Sequence, residues 1–346
     1  MARRILWGSL VLAPVSIALH YLADLPEAGE FALAAVALIP LAWLIGEATE
    51  HAAHHTGPGI GGFLNATFGN APELIIALFA VNAEKFEVVR GSLSGSVIGN
   101  LLLVLGFSLL FGGSGVIDRQ SSFVSLGLIA FAVLLFLIPA LPALDGDSER
   151  RSLAELSIAP SVVLLVVYVG VTYAALRRHR LTHVSDEPAL LRAWSLRRSL
   201  AVLAVATVVT ALIAEIVVGT IDDFADDVGL SDFFVAAVIV AIVGNAAEHG
   251  GAVVVAYRGR IRLAAEIALA SSAQVAVFLI PAVALLAWLL EPLALSFRPV
   301  ELVAVSASTV LAAVLLLQGR SSRARGVVLI LAYVVVAAAF LIAGDR

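Results

Sequence analysis

Long apolar stretches separated by short polar segments run through almost the whole chain. A helix needs roughly 20 apolar residues to cross a hydrocarbon core of ~30 Å, and eleven stretches reach that length. The pattern therefore predicts an all-α membrane protein with eleven transmembrane helices. The predicted spans are residues 5–23, 31–52, 60–82, 87–112, 120–141, 154–176, 197–219, 232–256, 262–289, 299–317 and 326–343.

The composition agrees with a membrane protein. Of the 346 residues 61% are hydrophobic, and the mean hydropathy is +1.04, whereas soluble domains are about half apolar. The absence of cysteine excludes disulfides and thiolate metal sites. No basic stripe interleaved with aromatic residues occurs, so we expect the lipid bilayer, and no nucleic acid, as a partner.

Basic residues are unevenly distributed over the predicted loops. With the N-terminus inside, fifteen arginines fall in inner loops and six basic residues in outer loops, among them Arg90 and Lys85, the only lysine. Cytoplasmic loops carry the excess of Lys and Arg in membrane proteins. The sequence therefore predicts a multi-pass cell-membrane protein with a cytoplasmic N-terminus and an outer C-terminus. The Arg, Ala and Val bias indicates a bacterial inner membrane.

Two predicted spans contain the same polar interruption. Gly69-Asn70-Ala71-Pro72-Glu73 lies within 60–82, and Gly244-Asn245-Ala246-Ala247-Glu248 follows 175 residues later within 232–256. A carboxylate at bilayer depth costs about 2.5–3.5 kcal/mol on insertion scales, which makes it a candidate functional residue. Broken backbone at that depth occurs where it is buried in protein or lines a cavity. Both segments are therefore predicted to form a substrate site.

The longest polar linker, 177–198, separates two sets of five spans. We predict an N-terminal helix and outer loop at 1–30, a five-helix repeat at 31–176, a cytoplasmic linker at 177–198 and a second five-helix repeat at 199–346. An odd number of helices per repeat places the two copies in opposite orientations. The interrupted segments of such inverted repeats then meet near the membrane midplane.

The interrupted segments offer hard oxygen ligands. Carboxylate and amide oxygens suit Ca²⁺, Mg²⁺, Mn²⁺ or Na⁺. We predict an ion site formed by Asn70, Glu73, Asn245 and Glu248, with the backbone of Gly69 and Gly244. Two carboxylates match the double charge of Ca²⁺, and protons can neutralise the same pair when the ion leaves, because burial disfavours the charged form. The alternation of one divalent cation with protons is the logic of an antiporter, and we expect no cofactor.

Further polar residues are assigned to proton coupling or to support of the site. Small polar residues one span after each interruption are expected near it, although ordinary interhelical hydrogen bonds are an equal alternative. Acidic residues in spans 31–52 and 197–219 and a histidine beside Glu248 complete the set, with Glu50 interpreted as interfacial. The set is Ser96, Asn100, Ser271, Gln274, His249, Glu47, Glu50 and Glu215.

Two other clusters are interpreted as solvated. His51 and His55 share a helix face four residues apart, at an end expected to be wet, so a metal site is disfavoured. An acidic segment from Asp222 to Asp232 is interpreted as an outer loop, with attraction of cations at its mouth as the alternative.

The interrupted segments resemble a known family. The stretches from Gly69 to Leu78 and from Gly244 to His249 are similar to the paired signatures of calcium/proton exchangers, the cation/proton exchanger (CAX) branch of the calcium/cation antiporter superfamily. The stretches 45–50 and 64–68 resemble that family too. The resemblance implies an eleven-helix inverted-repeat fold and alternating access. It also implies export of cytoplasmic Ca²⁺ in exchange for H⁺, with Ca²⁺ bound by Asn70, Glu73, Asn245 and Glu248.

One departure from the family concerns the linker, which is basic where many members are acidic; Asp186 and Glu187 are its only acids. Alternatives remain open at this point. A Na⁺/Ca²⁺ or other cation exchanger belongs to the same class, and a cation channel is less favoured because a closed midplane site does not conduct. A membrane enzyme lacks a nucleophile–base constellation, and no P-loop is present. The oligomeric state, including a homo-oligomer, is left open.

Overall fold

A computed structural model describes residues 2–23, 25–180 and 194–345, and this part of the chain is almost entirely helical. Most of the predicted linker, residues 181–193 with Asp186 and Glu187, lies outside the described residues. The helices are α1 Ala2–Ser9, α2 Leu12–Leu22, α3 Glu27–Phe68, α4 Ala71–Asn82, α5 Phe86–Gly112, α6 Arg119–Ala140, α7 Arg151–Arg180, α8 Leu196–Gly219, α9 Ile221–Val228, α10 Asp232–Gly244, α11 Ala246–Tyr257, α12 Ile261–Leu289, α13 Pro299–Leu316 and α14 Arg323–Ala343. Two short strands, β1 Gly115–Val116 and β2 Arg320–Ser321, pair antiparallel.

The all-α membrane class is confirmed, but the count of eleven spans is not. Within the described ranges nine helices are long and apolar enough to cross a membrane, or ten if the bent pair α9 and α10 forms one span. The prediction of separate spans at 31–52 and 60–82 is wrong at their junction. α3 continues for 42 residues to Phe68, because the glycines at 57–62 do not stop the backbone hydrogen-bond ladder. The remainder of 60–82 forms the shorter apolar helix α4.

The two halves repeat the same structural pattern at an offset of 175 residues. α4 and α11 have 12 residues each and begin at equivalent positions, as do α5 and α12. α5 and α12 each change to a π-helical turn, at Gly99–Val104 and Val275–Leu279. Extra residues in a π turn are frequent at functional sites. The repeated polar motif is thus embedded in a repeated backbone.

Close backbone contacts join the halves. α8 packs along α3 and α4, while α5 packs against the π-helical turn Val235–Val240 of α10. A Cβ atom on Gly95 of α5 would lie 2.0 Å from the carbonyl oxygen of Ala237. Glycine allows this approach since it has no side chain, as small residues do in membrane helix packing. The contact brings α5 of one repeat against α10 of the other, beside the interrupted segment.

The position of Arg90 corrects the loop assignment. Its side chain is 1% exposed within α5, although the charge pattern places it in an outer loop. The guanidinium donates to both carboxylate oxygens of Glu149, at 3.0 and 2.6 Å, and to the carbonyl oxygen of Ala294. A bidentate partner compensates for the loss of hydration of the buried charge.

The acidic segment after α8 is also not a simple loop. Its first part forms the amphipathic helix α9, whose apolar residues Ile221 and Ala225 are buried. Lys85 lies in the turn between α4 and α5. Its ammonium group donates a hydrogen bond to the Asp222 carboxylate and forms an ion pair with it. The only lysine of the sequence thus connects the segment after α8 to the turn before α5.

Candidate functional site

Both interrupted segments place a glutamate in the first turn of a short helix. Asn70 precedes α4 with φ −100° and ψ 19°, and Asn245 precedes α11 with φ −90° and ψ 6°. These angles lie in the sparsely occupied bridge region. Pro72 has no N–H, so it cannot continue the hydrogen-bond ladder to Phe68. Ala247 stands at the equivalent position of the second segment, so proline is not required for the break.

Glu73 lies in a small buried cavity between the repeats. Its side chain is 7% exposed, and within the described part of the chain neither carboxylate oxygen has a hydrogen-bond partner. Ser92, Ser96, Val240 and Ala241 line the cavity with it. A buried carboxylate without donors is costly, which makes Glu73 a candidate for a bound cation or proton.

Gly244 of the second segment lies directly against Glu73. A Cβ atom at Gly244 would lie 3.4 Å from Glu73 Cγ. Gly244, the first residue of the second interrupted segment, therefore lies against the side chain of Glu73 in the first segment. The two glycines predicted to belong to the site differ in burial, since Gly69 is half-buried and Gly244 is buried.

A chain of polar side chains connects the other carboxylate to both repeats. Asn245 Nδ2 donates to Ser96 Oγ at 2.8 Å and to the carbonyl oxygen of Ala241 at 2.9 Å. Asn100 Nδ2 lies 3.3 Å from Asn245 Oδ1 and 3.2 Å from Ser271 Oγ. Ser271 donates its hydroxyl to Glu248 Oε2. The structure thus brings together five of the predicted residues in one hydrogen-bonded chain.

The electrostatics of the site rest on two acids. Glu248 and Glu73 are close enough for their charges to repel each other. Among the described residues, no group of three or more His, Cys, Asp and Glu side chains is arranged to hold a metal. The formal charge of the site therefore comes from this pair, and amides and hydroxyls supply the remaining oxygens. Either two protons or one divalent cation neutralises such a pair.

The remaining predicted residues lie at different distances from this centre. Asn70 is 1% exposed beside Glu73 in sequence, and Gln274 hydrogen-bonds the hydroxyl of Tyr168. His249 follows Glu248, and its Nε2 atom is buried with no partner among the described residues. Asn70 lies in the first interrupted segment, His249 directly follows the second, and Gln274 lies in α12.

The predicted acidic residues outside the interrupted segments do not lie in the ion site. Glu47 lies 3.4 Å from His51 on α3. Glu50 and Glu215 are both exposed. Glu215 lies within an apolar span, as Glu73 does, but on the outer face of α8. The structure does not place Glu215 in the site, since its side chain is exposed.

Sequence reasoning missed Ser92, which lines the cavity at Glu73. The signal is its spacing: Ser92 and Ser96 are four residues apart in a helix, so both project from one face. Ser94, between them, instead donates to buried Glu301 at 2.9 Å. Ser92 and Ser96 thus face the cavity at Glu73, whereas Ser94 contacts Glu301.

Known proteins are similar to this chain along nearly its whole length. It is 33% identical to a Ca(2+)/H(+) antiporter of Aphanothece halophytica, covering 97% of this chain and 96% of that protein. It is 37% identical to the Ca(2+)/H(+) antiporter ChaA of Bacillus subtilis, covering 92% and 93%. The solved structure of native YfkE superposes with a TM-score of 0.82 at 34% identity, covering 99% of this chain and all of that one.

More distant structures share the fold alone. The H⁺/Ca²⁺ exchanger CAX has a TM-score of 0.75 at 16% identity and covers 99% of this chain and 92% of its own. The model of the family described as sodium/calcium exchanger protein matches residues 28–177 and 198–342. These two matches cover most of the sequence and flank the linker. The chain belongs to the sodium/calcium exchanger family.

Proposed function

We propose that this protein is a secondary active antiporter that exports cytoplasmic Ca²⁺ in exchange for H⁺ by alternating access. The observation that carries the proposal is the pair Glu73 and Glu248, one buried and one half-buried, in the first turns of two equivalent helices. One divalent cation or protons compensate the charge of this pair. Occupancy by either ion excludes the other, which couples the two fluxes.

The oxygens around the pair suit Ca²⁺ as substrate. Ca²⁺ takes about 6–8 oxygen ligands in flexible geometry. The carboxylate oxygens of Glu73 have no hydrogen bond to lose on binding an ion, in the part of the chain that the structure describes. Glu248, Asn70 and Asn245 are the other proposed side-chain ligands, and backbone at Gly69 and Gly244 completes the proposed set. Ser96, Asn100 and Ser271 orient the amide and the second carboxylate.

The names of the relatives support the same exchange. Two bacterial proteins that are 33% and 37% identical to this chain over more than nine-tenths of it are called Ca(2+)/H(+) antiporters. No ATP-binding P-loop occurs in the sequence. We therefore infer that the ion gradients themselves provide the energy, and that the protein is not an enzyme.

The orientation that fits export has a cytoplasmic N-terminus, inverted repeats and an outer C-terminus. The support is the excess of arginine in alternate loops. A reporter fused after the C-terminal residues should report the outer side, and one inserted in 177–198 the inner side. A C-terminal reporter that responds on the cytoplasmic side would exclude this topology.

The exchange is tested with the purified protein in liposomes that contain trapped Ca²⁺ indicator. An imposed proton gradient should drive Ca²⁺ across the membrane in the wild type. Glu73→Gln and Glu248→Gln should each abolish this flux, because each keeps the size of the side chain and removes its charge. Glu215→Gln, which changes an exposed residue in a similar apolar helix, is the matched control and should transport normally. Normal exchange by either site variant would exclude that residue from the site.

Na⁺/Ca²⁺ exchange is the second candidate, favoured by the family description that matches the chain. The same liposomes separate the two functions. If protons are the coupling ion, a Na⁺ gradient at equal pH on both sides should drive no Ca²⁺ flux. Ca²⁺ flux that follows the Na⁺ gradient, and is indifferent to the proton gradient, would replace our proposal with the second candidate.

A further inference from the structure

A row of four side chains on α3 runs toward the end of the linker between the two repeats. The row consists of Trp43, Glu47, His51 and His55, at intervals of four residues, which places them on one helix face. His51 and His55 contact Trp194, two residues before α8 begins. The ion site does not use these side chains. His55 is exposed, as the sequence interpretation of the two histidines expects, whereas His51 is half-buried against Trp194.

The two histidines hold Trp194 at both of its backbone polar groups. The N–H of Trp194 donates to His51 Nδ1 at 3.4 Å, and its carbonyl oxygen accepts from His55 Nε2 at 2.6 Å. The His51 ring also stacks on the indole of Trp194, with 4.5 Å between ring centroids and 26° between planes. We call this set of contacts the linker clamp.

Aromatic and cationic groups enclose the linker clamp. The guanidinium of Arg198 lies 4.8 Å from the centroid of the Trp194 ring. Trp7 of α1 lies 6.2 Å from the Trp194 ring and 5.4 Å from the Trp43 ring. The clamp therefore connects α1, the middle of α3 and the start of α8. α3 and α8 pack along each other, and α8 also packs on α4, which carries Glu73.

Only one arrangement of protons on His51 satisfies these contacts. Nδ1 accepts from Trp194, so in the neutral ring the proton resides on Nε2, which lies 3.4 Å from Glu47 Oε1. A second proton on the ring must go to Nδ1 and removes the acceptor. His55 differs, because its Nε2 donates to a carbonyl in either charge state. His51 is thus the member of the clamp whose protonation breaks a contact.

Charged groups on α3 and at the start of α8 accompany His51. Glu50, His54 and His55 share α3 with it, and the Arg198 guanidinium lies over the Trp194 ring. Glu47 is the acid that contacts the ring, so a protonated His51 gains an ion pair with Glu47 as it loses the hydrogen bond from the Trp194 N–H.

We propose that His51 is a proton sensor on the cytoplasmic side, whose protonation breaks its hydrogen bond from the Trp194 N–H and thereby slows exchange. The proposal rests on the proposed Ca²⁺/H⁺ antiport and its orientation. Each antiport cycle brings protons to the side where the linker clamp lies. Loss of this bond loosens the attachment of the segment before α8 to α3. The accumulated product of the exchange thus limits further exchange.

The first test measures the clamp itself, without transport. Hydrogen exchange at the Trp194 amide is followed between about pH 8 and about pH 5, where imidazoles change charge, and is corrected for the chemical exchange rate. Wild-type protein should lose about two- to tenfold of its protection at the acid end, the range for one amide hydrogen bond. His51→Gln keeps an acceptor that does not titrate and should keep its protection. A wild-type amide with constant protection across this range would overturn the sensor.

The second test measures flux while the cytoplasmic face alone is titrated. Relative to wild type, His51→Gln should lose the decrease at acid pH, and His51→Phe, with a ring but no acceptor, should be slow at every pH. His54→Gln, which changes an exposed neighbour, should behave as wild type. A His51→Gln profile equal to wild type would reject the sensor and leave the antiport intact. Absence of any proton-driven flux, with the Trp194 amide still titrating, would instead reject the proposed function.

Discussion

Ser271 donates its hydroxyl hydrogen to Glu248, whereas Glu73, the equivalent carboxylate 175 residues earlier, accepts no hydrogen bond from the described residues. Ser96, the counterpart of Ser271, lies beside Glu73 in the cavity but bonds to Asn245 and to the carbonyl of Ser92. The two repeats have the same backbone and unequal carboxylates. A donor favours the charged form of an acid, so Glu248 is better stabilised as an anion than Glu73.

Ser271→Ala should therefore weaken Ca²⁺ binding more at acid pH than at alkaline pH. A hydrogen bond to a charged group contributes about 1.5–3 kcal/mol, and without it protons compete better for Glu248. The matched control is Ser272→Ala, since that hydroxyl donates to the carbonyl of Val97 at 2.8 Å and not to an acid. Calorimetric titration with Ca²⁺ at several pH values measures both. Equal affinities of wild type and Ser271→Ala at every pH would contradict the role of the donor.

The glycines of α5 predict a difference in stability. Gly95→Ala places a methyl group 2.0 Å from the carbonyl oxygen of Ala237, so α5 and α10 must separate. Overpacking of this kind costs about 1–3 kcal/mol or more. Gly99→Ala, four residues later on the same helix, has no atom within 4 Å of the new methyl group. Thermal unfolding in detergent should show a lowered midpoint for Gly95→Ala only.

The turns after α4 and α11 share one geometry but carry different residues at their left-handed position. Glu84 has φ 57° and its counterpart Gly259 has φ 79°. A left-handed conformation costs an L-residue roughly 1–2 kcal/mol, which glycine avoids. Glu84→Gly should therefore raise the free energy of unfolding, and Gly259→Ala should lower it. Glu84→Ala controls for loss of the carboxylate, since it retains the strained backbone and should not be stabilised.

Local patterns in the sequence predict much of the fold. They do not predict which face of each helix is buried. The interruptions at Asn70 and Asn245 were predictable, because glycine, asparagine and a carboxylate interrupt otherwise apolar spans. Glu73 and Glu215 have similar sequence surroundings, yet one is buried and the other exposed. Lipid is as apolar as a protein core, so periodicity does not tell which helix face points inward.

The sequence also does not predict contacts between residues that are far apart along the chain. Arg90 is buried because Glu149, far along the chain, accepts two of its hydrogen bonds. Asn100 belongs to the predicted site residues, but its contacts to Asn245 and Ser271 depend on the packing of one repeat on the other. The sequence named the polar residues of the site and could not state which of them touch.

Asp118, in the loop before α6, predicts a pH-dependent contribution to stability. The backbone N–H of Ser121 donates to its carboxylate, and the Arg262 guanidinium lies 2.5 Å away; both lower the pKa of Asp118. The folded-state value lies below the unfolded one, so this contribution is present above about pH 3.9 and is lost as the pH falls through the folded value. Asp118→Asn should unfold more easily than wild type at neutral pH. Denaturant titrations should show the difference closing in strong acid.

Shared occupancy of Glu73 and Glu248 links Ca²⁺ binding to pH. If Ca²⁺ and protons compete for these two carboxylates, acidification must weaken Ca²⁺ binding, and Ca²⁺ binding must release protons to the same extent. Affinity should therefore fall as the pH drops through the mildly acidic range. Calorimetry in buffers of different ionisation enthalpy counts the released protons. Glu73→Gln, Glu248→Gln together should lose both the binding and the release, whereas Glu215→Gln should retain both. Unchanged affinity across that range, with no proton released, would move proton coupling to other groups, and Glu47, Glu50 and His249 would be the first to test.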